Sequence, residues 1–114
     1  MKYLFIFNDS PYGSQRAYNA LRLAAALARK AEARVFLLGD GVTCGIAGFN
    51  PAHADYNPQE LLRTISGAGA TILACGTCME ARGIPAESLI AEVRRGSLDE
   101  LLAWTEESEK VLSF

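Results

Sequence analysis

The residues of this chain whose types and spacing could do chemistry are Cys75 and Cys78, a Cys-x-x-Cys pair, with Arg82 four positions further on. The pair follows the apolar run Thr71-Ile72-Leu73-Ala74, itself preceded by Gly67 and Gly69, which reads as a buried strand. A short helical pattern comes after it. A thiol in a turn between a parallel strand and a helix start meets unpaired amides and the positive end of the helix dipole, and both favour thiolate over thiol. On a helix, Arg82 shares a face with Cys78 and adds a fixed positive charge. Position alone therefore makes Cys78 the more ionised of the two. The stretch describes a reactive sulfur nucleophile.

Four readings of such a pair compete. Packing as small buried hydrophobes is one, since free cysteine is among the most buried residue types. Zinc binding is another, and it would recruit Cys44 and His53 into a Cys3His set, but no second ligand pair stands at finger spacing. No metal is expected. Thiol–disulfide exchange uses this spacing at a helix start. Here, however, the pair comes late, after the third strand, without the neighbouring Trp or intervening Pro that often accompany that chemistry. Sulfur transfer fits better.

Other residues are weaker candidates. Cys44 alone reads as a packed thiol, and His53 as a surface loop histidine able to shuttle protons. Asp9 and Asp40 read as turn residues at strand ends. Tyr12 and Gly13 could line a cleft; with Asn8, Cys44, Gly76 and Thr77 they make up the expected ligand-binding set. Gly39-x-Gly41 is no dinucleotide fingerprint, because the third glycine and the following helix are missing. Trp104 marks either a subunit interface or the edge of the core. No organic cofactor is required.

Length and composition bound these options. A chain of 114 residues, half of them hydrophobic and 21% charged, is expected to be one α/β domain over 1–114. Its net charge of -2 argues against nucleic acid or an anionic membrane as partner. The apolar runs are too short to span a bilayer, and Met1-Lys2 leads straight into Tyr3-Leu4-Phe5-Ile6-Phe7 with no room for a signal peptide. The expected compartment is the cytoplasm, where three cysteines stay reduced.

The elements that must position the cysteines follow from periodicity. Residues 2–8 read as a strand buried on both faces, ending in the turn cluster Asn8-Asp9-Ser10-Pro11-Tyr12-Gly13-Ser14. From Gln15 to Lys30, with Ser14 as N-cap, an alanine-rich amphipathic helix sets Ala17, Leu21, Ala24 and Ala28 on its inner stripe, widened by Leu23 and Leu27. Ala33 to Leu38 is the second strand. A long stretch to Asn57 is expected to hold a helical turn within 42–48. Asn57-Pro58-Gln59-Glu60 opens a helix that Gly67 ends. After the cysteine turn, Pro85 to about Ala91 reads as a short helix and Arg94-Arg95-Gly96 as a short strand. Ser97-Leu98-Asp99-Glu100 is a capping box launching a helix to about Ser108, and 110–114 closes the chain as a strand. Alternating strands and helices predict a parallel sheet with helices on both faces, and ligands at the strands' carboxyl ends. There the loops 8–14 and 39–56 should meet the cysteine turn.

Three segments resemble the DsrE/DsrF-like family, most closely its small YchN-like branch: Pro11-Tyr12-Gly13-Ser14-Gln15; Cys75-Gly76-Thr77-Cys78-Met79-Glu80-Ala81-Arg82-Gly83-Ile84; and Leu98-Asp99-Glu100-Leu101-Leu102-Ala103-Trp104 with Lys110-Val111-Leu112-Ser113-Phe114. The resemblance implies a three-layer α/β/α domain with a mainly parallel sheet of about five strands. It implies self-association as a homotrimer or homohexamer, to which the apolar loop residues Ile46 and Phe49 add weak support. In the sulfur-relay members a cysteine of this turn carries sulfane sulfur as a persulfide between donor and acceptor proteins; ungapped placement puts it on Cys75. Cys78 departs from that pattern, leaving open which thiol carries sulfur and whether the pair forms a resolving disulfide. The implied activity is that of a sulfur carrier or sulfurtransferase; the alternatives are a non-catalytic oligomeric binder and a thiol–disulfide redox protein.

Overall fold

The apolar runs become the strands of one sheet. The computed structural model describes residues 1–49 and 56–114. The elements are β1 (Lys2–Phe7), α1 (Arg16–Ala28), β2 (Glu32–Leu37), a 3-10 segment (Gly39–Gly45), α2 (Pro58–Gly67), β3 (Thr71–Cys75), α3 (Gly76–Ala81), a 3-10 turn (Ala86–Ser88), β4 (Val93–Gly96), α4 (Leu98–Glu107) and β5 (Lys110–Ser113). All five strands are parallel, in the order β4-β3-β2-β1-β5. This is the expected α/β class.

The register sorts the side chains. Phe5, Val35, Ile72 and Val93 share one face, while Ile6, Phe36, Leu73 and Arg94 share the other. Connections from β1 through β4 step steadily in one direction, so right-handed crossovers keep α1 and α2, which pack side by side, on one face. From β4 the chain returns past three strands to β5. Its helix α4 therefore crosses to the opposite face, where Trp104 meets Phe36 edge-on at 6.3 Å. Trp104 completes the core edge, half-buried under Arg34. Leu4, Phe5, Phe7, Phe36, Leu37 and Leu73 are fully buried between these layers.

Local signals explain most boundaries. The Asn57 side chain accepts from the Gln59 and Glu60 amides at 3.0 and 3.3 Å, and Ser97 and Glu100 form the reciprocal capping box. Three expectations need correction. Gln15, not Ser14, is the N-cap of α1; the Ser14 hydroxyl accepts from the Arg16 amide at 3.3 Å within the preceding turn. Leu23 faces outward, 43% exposed, so the inner stripe of α1 is almost wholly alanine. The helix expected from Pro85 to Ala91 is only the 3-10 turn. Tertiary pairing overrides its helical pattern: Leu89 bridges Ile46, the Ile90 amide donates to the Gly45 carbonyl at 2.9 Å, and Ala47 donates to Ser88 at 2.7 Å. Val93, just past the expected helix, starts β4.

Two glycines set close approaches. A Cβ on Gly41 would lie 1.9 Å from the Phe7 carbonyl oxygen, so the 3-10 segment presses directly on the end of β1. A Cβ on Gly96 would lie 2.9 Å from Leu73 Cβ, so only glycine lets β4 close on β3 at that level. Among the described residues no helix is long and apolar enough to cross a membrane.

Candidate functional site

β3 delivers Cys75 to the carboxyl end of the sheet, opposite Gly96 of β4. Cys75 is the N-cap of α3, and its sulfur takes the place of the usual capping oxygen: the Cys78 amide donates to it at 3.4 Å. The Thr77 hydroxyl lies 3.3 Å away, and the Cys78 thiol is also within hydrogen-bonding reach. Burial pushes the Cys75 thiol up, but the hydrogen bonds from the Cys78 and Thr77 side chains and amides outweigh it. The net shift is below the ordinary thiol value. Cys75 thus carries more thiolate at a given pH than a free cysteine.

Cys78 moves the other way. Burial raises it, as do the hydrogen bond with Cys75 and the charge there; the Gly39 amide, donating at 3.2 Å, and Arg82 oppose them without prevailing. The order is the reverse of that expected from helix position. Donating its proton to Cys75 keeps Cys78 a thiol. Arg82 touches neither sulfur. Its guanidinium donates to the Asp40 carboxylate at 2.8 and 3.0 Å and to the Cys78 carbonyl at 3.0 Å, tying α3 to the 3-10 segment.

Cys75 is only 2% exposed, and what reaches it must come through a cavity of about 250 Å³. Cys75, Gly76 and Thr77 line one side, and Arg95, Gly96, Ser97 and Leu98 the other. This crevice opens where β3 and β4 send the chain to opposite faces, the switch point at which parallel sheets hold ligands. Arg95, ion-paired with Glu80, supplies a cation at the rim, and the exposed Leu98 an apolar lip. The sequence reading missed this β4 side. Gly96 directly before the capping box was the available signal, since it marks a strand end that must sit close to its neighbour.

The other candidates lie elsewhere. Cys44 is fully buried and donates to the Asp9 carbonyl at 3.5 Å; burial, then the Asp9 charge, push it up to about 12. The Asn8 side chain donates through Nδ2 to Ser113 Oγ at 3.0 Å and the Phe114 carbonyl at 3.1 Å, pinning the chain's end to β1. Tyr12 stacks on Tyr56 and meets Phe49 edge-on. Gly13 lines a second cavity, of about 220 Å³, with Asp9, Ser10, Ser14, Arg16 and Asp40. The loop after β2 does meet the cysteine turn, through Gly39 with Cys78 and Asp40 with Arg82, whereas the loop after β1 meets the loop after β2, through Asp9 with Cys44 and around this second cavity. His53 lies outside the described residues. Among the described residues no three of His, Cys, Asp and Glu gather as a metal cluster, and all three cysteines are free thiols.

The fold that carries this cysteine turn is shared with a solved structure. The pattern of the DsrE/DsrF-like family matches residues 1–114, and the chain belongs to that family. It is 39% identical over 116 residues to protein YchN of Escherichia coli strain K12, covering 99% of this chain and 98% of that protein. An uncharacterised protein of Methanopyrus kandleri is 40% identical over 110 residues, covering 96% and 90%. The crystal structure of the E. coli ychN protein superposes with a TM-score of 0.93 at 38% identity, covering 100% of this chain and 99% of that one.

Proposed function

We propose that the protein is a sulfur carrier: Cys75 accepts sulfane sulfur as a persulfide and hands it to an acceptor thiol. The lowered Cys75 thiol at the floor of the β3–β4 cavity carries this reading. Sulfur transfer needs a thiolate to attack the donor, access for a small or terminal persulfide, and shelter for the product. The amide and hydroxyl donors around Cys75 favour the anion, the cavity admits the donor, and burial shelters the bound sulfur. Family membership supports a sulfur-relay role. In this reading the carrier works in the cytoplasm with donor and acceptor proteins and assembles as a homotrimer or homohexamer. Exposed Phe49 and the outer leucines of α4, Leu98 and Leu102, support self-association.

The test is uptake. Reduced protein exposed briefly to inorganic polysulfide without oxygen, then quenched in acid, is expected to gain the mass of one sulfur atom per chain. The uptake rate should rise with pH about a midpoint below the ~8.5 of free cysteine, because only the thiolate attacks. An unchanged mass, with Cys75 still open to alkylation, would leave a non-catalytic binder.

A further inference from the structure

The cavity and the Cys78 sulfur stand on opposite sides of Cys75. In the strand order, β4 and the cavity lie on one side of Cys75. On the other side lies β2, and just past its end the Gly39 amide holds the Cys78 sulfur at 3.2 Å. Cys78 does not line the cavity. Displacement at a divalent sulfur is in line, with the attacking sulfur opposite the leaving one. Among the described residues the cavity is the space that Cys75 lines, so a sulfur added to Cys75 has room there, and Cys78 is then behind the bond.

We propose that Cys78 discharges the Cys75 persulfide as sulfide, so that without an acceptor the chain reduces sulfane sulfur in one turnover and locks as a Cys75–Cys78 disulfide. This rests on the reading of Cys75 as the sulfur acceptor. The Cys78 thiolate attacks Cys75 Sγ; the new Cys75–Cys78 bond forms, the bond to the outer sulfur breaks, and that sulfur leaves as hydrosulfide with its electron pair. The two cysteines lose two electrons and the sulfane sulfur gains them. A dithiol reductant returns the chain to its starting state.

Two features of the site serve this step. The Gly39 amide, the hydrogen bond that lowers Cys78, offers its charge to the attacking thiolate once Cys75 is capped and no longer accepts the Cys78 proton. A three-residue separation at a helix start also brings the two Cα atoms within the span a disulfide bridges.

The test compares three chains exposed to inorganic polysulfide without oxygen and followed by intact mass. The wild type is expected to gain one sulfur transiently and end lighter than the reduced chain by two hydrogen atoms, restored by dithiothreitol. Cys78→Ser should hold the added sulfur, releasing it as sulfide only when dithiothreitol is added. Cys75→Ser should gain none. A wild type that holds its sulfur as long as Cys78→Ser does would overturn the discharge and leave the carrier intact. Failure of Cys78→Ser to gain sulfur would overturn both. Loading of Cys75→Ser but not Cys78→Ser would exchange the two roles and overturn the step as written.

Discussion

A Cys75→Ser chain is expected to fold normally and to lose sulfur uptake completely. Serine preserves the cap, since its hydroxyl accepts from the Cys78 amide as the sulfur does at 3.4 Å, and caps of this kind are worth about 1 kcal/mol. It removes the only thiol that combines a lowered ionisation with an open approach. Cys44 is raised to about 12 and fully buried, so it takes over nothing. Cys78 is raised and sits away from the cavity. Intact mass after polysulfide exposure reads the loss, and an unchanged unfolding midpoint shows that the fold is not its cause. Residual uptake near the wild-type level would mean that another sulfur accepts.

The largest loss of stability is expected from a residue with no chemistry. Gly41→Ala places a methyl group 1.9 Å from the Phe7 carbonyl oxygen, a clash that only a backbone shift relieves. The cost is expected to be about 3 kcal/mol, the upper end for overpacking in a tight core. Denaturant unfolding measures it. Gly67→Ala is the control: its Cβ meets nothing within 4 Å at the end of α2, so the same change there should gain up to ~1 kcal/mol of helix propensity. Equal effects at both sites would refute the packing argument. Since the 3-10 segment also brings Gly39 and Asp40 to α3, Gly41→Ala should loosen the cysteine turn as well.

How much of this was legible beforehand divides along physical lines. Hydrophobic period and helix-start chemistry act over a few residues, so β1, β3, α2 at Asn57-Pro58 and α4 at Ser97 could be read from the chain. Cys75 and Cys78 stood out because spacing and element order place them at a strand end. What stayed hidden depends on distant partners. Nothing in Pro85-Ala86-Glu87-Ser88-Leu89 reveals that Ile46 will claim Leu89 for a bridge. The Gly39-x-Gly41 spacing excluded a nucleotide site without disclosing that Gly41 abuts Phe7. The thiol order inverted for the same reason. Helix position and Arg82 favour Cys78, but the Asp40 carboxylate occupies the guanidinium, and the donors converge on Cys75.

The central claim concerns where the sulfur sits. The reduced wild-type chain, mixed briefly with polysulfide, acid-quenched, alkylated and fragmented in the mass spectrometer, reports the sulfur content of each cysteine separately. The extra sulfur is expected on Cys75 at the earliest times, with Cys78 and Cys44 unmodified. Sulfur on Cys78 while Cys75 remains a plain thiol would contradict the account.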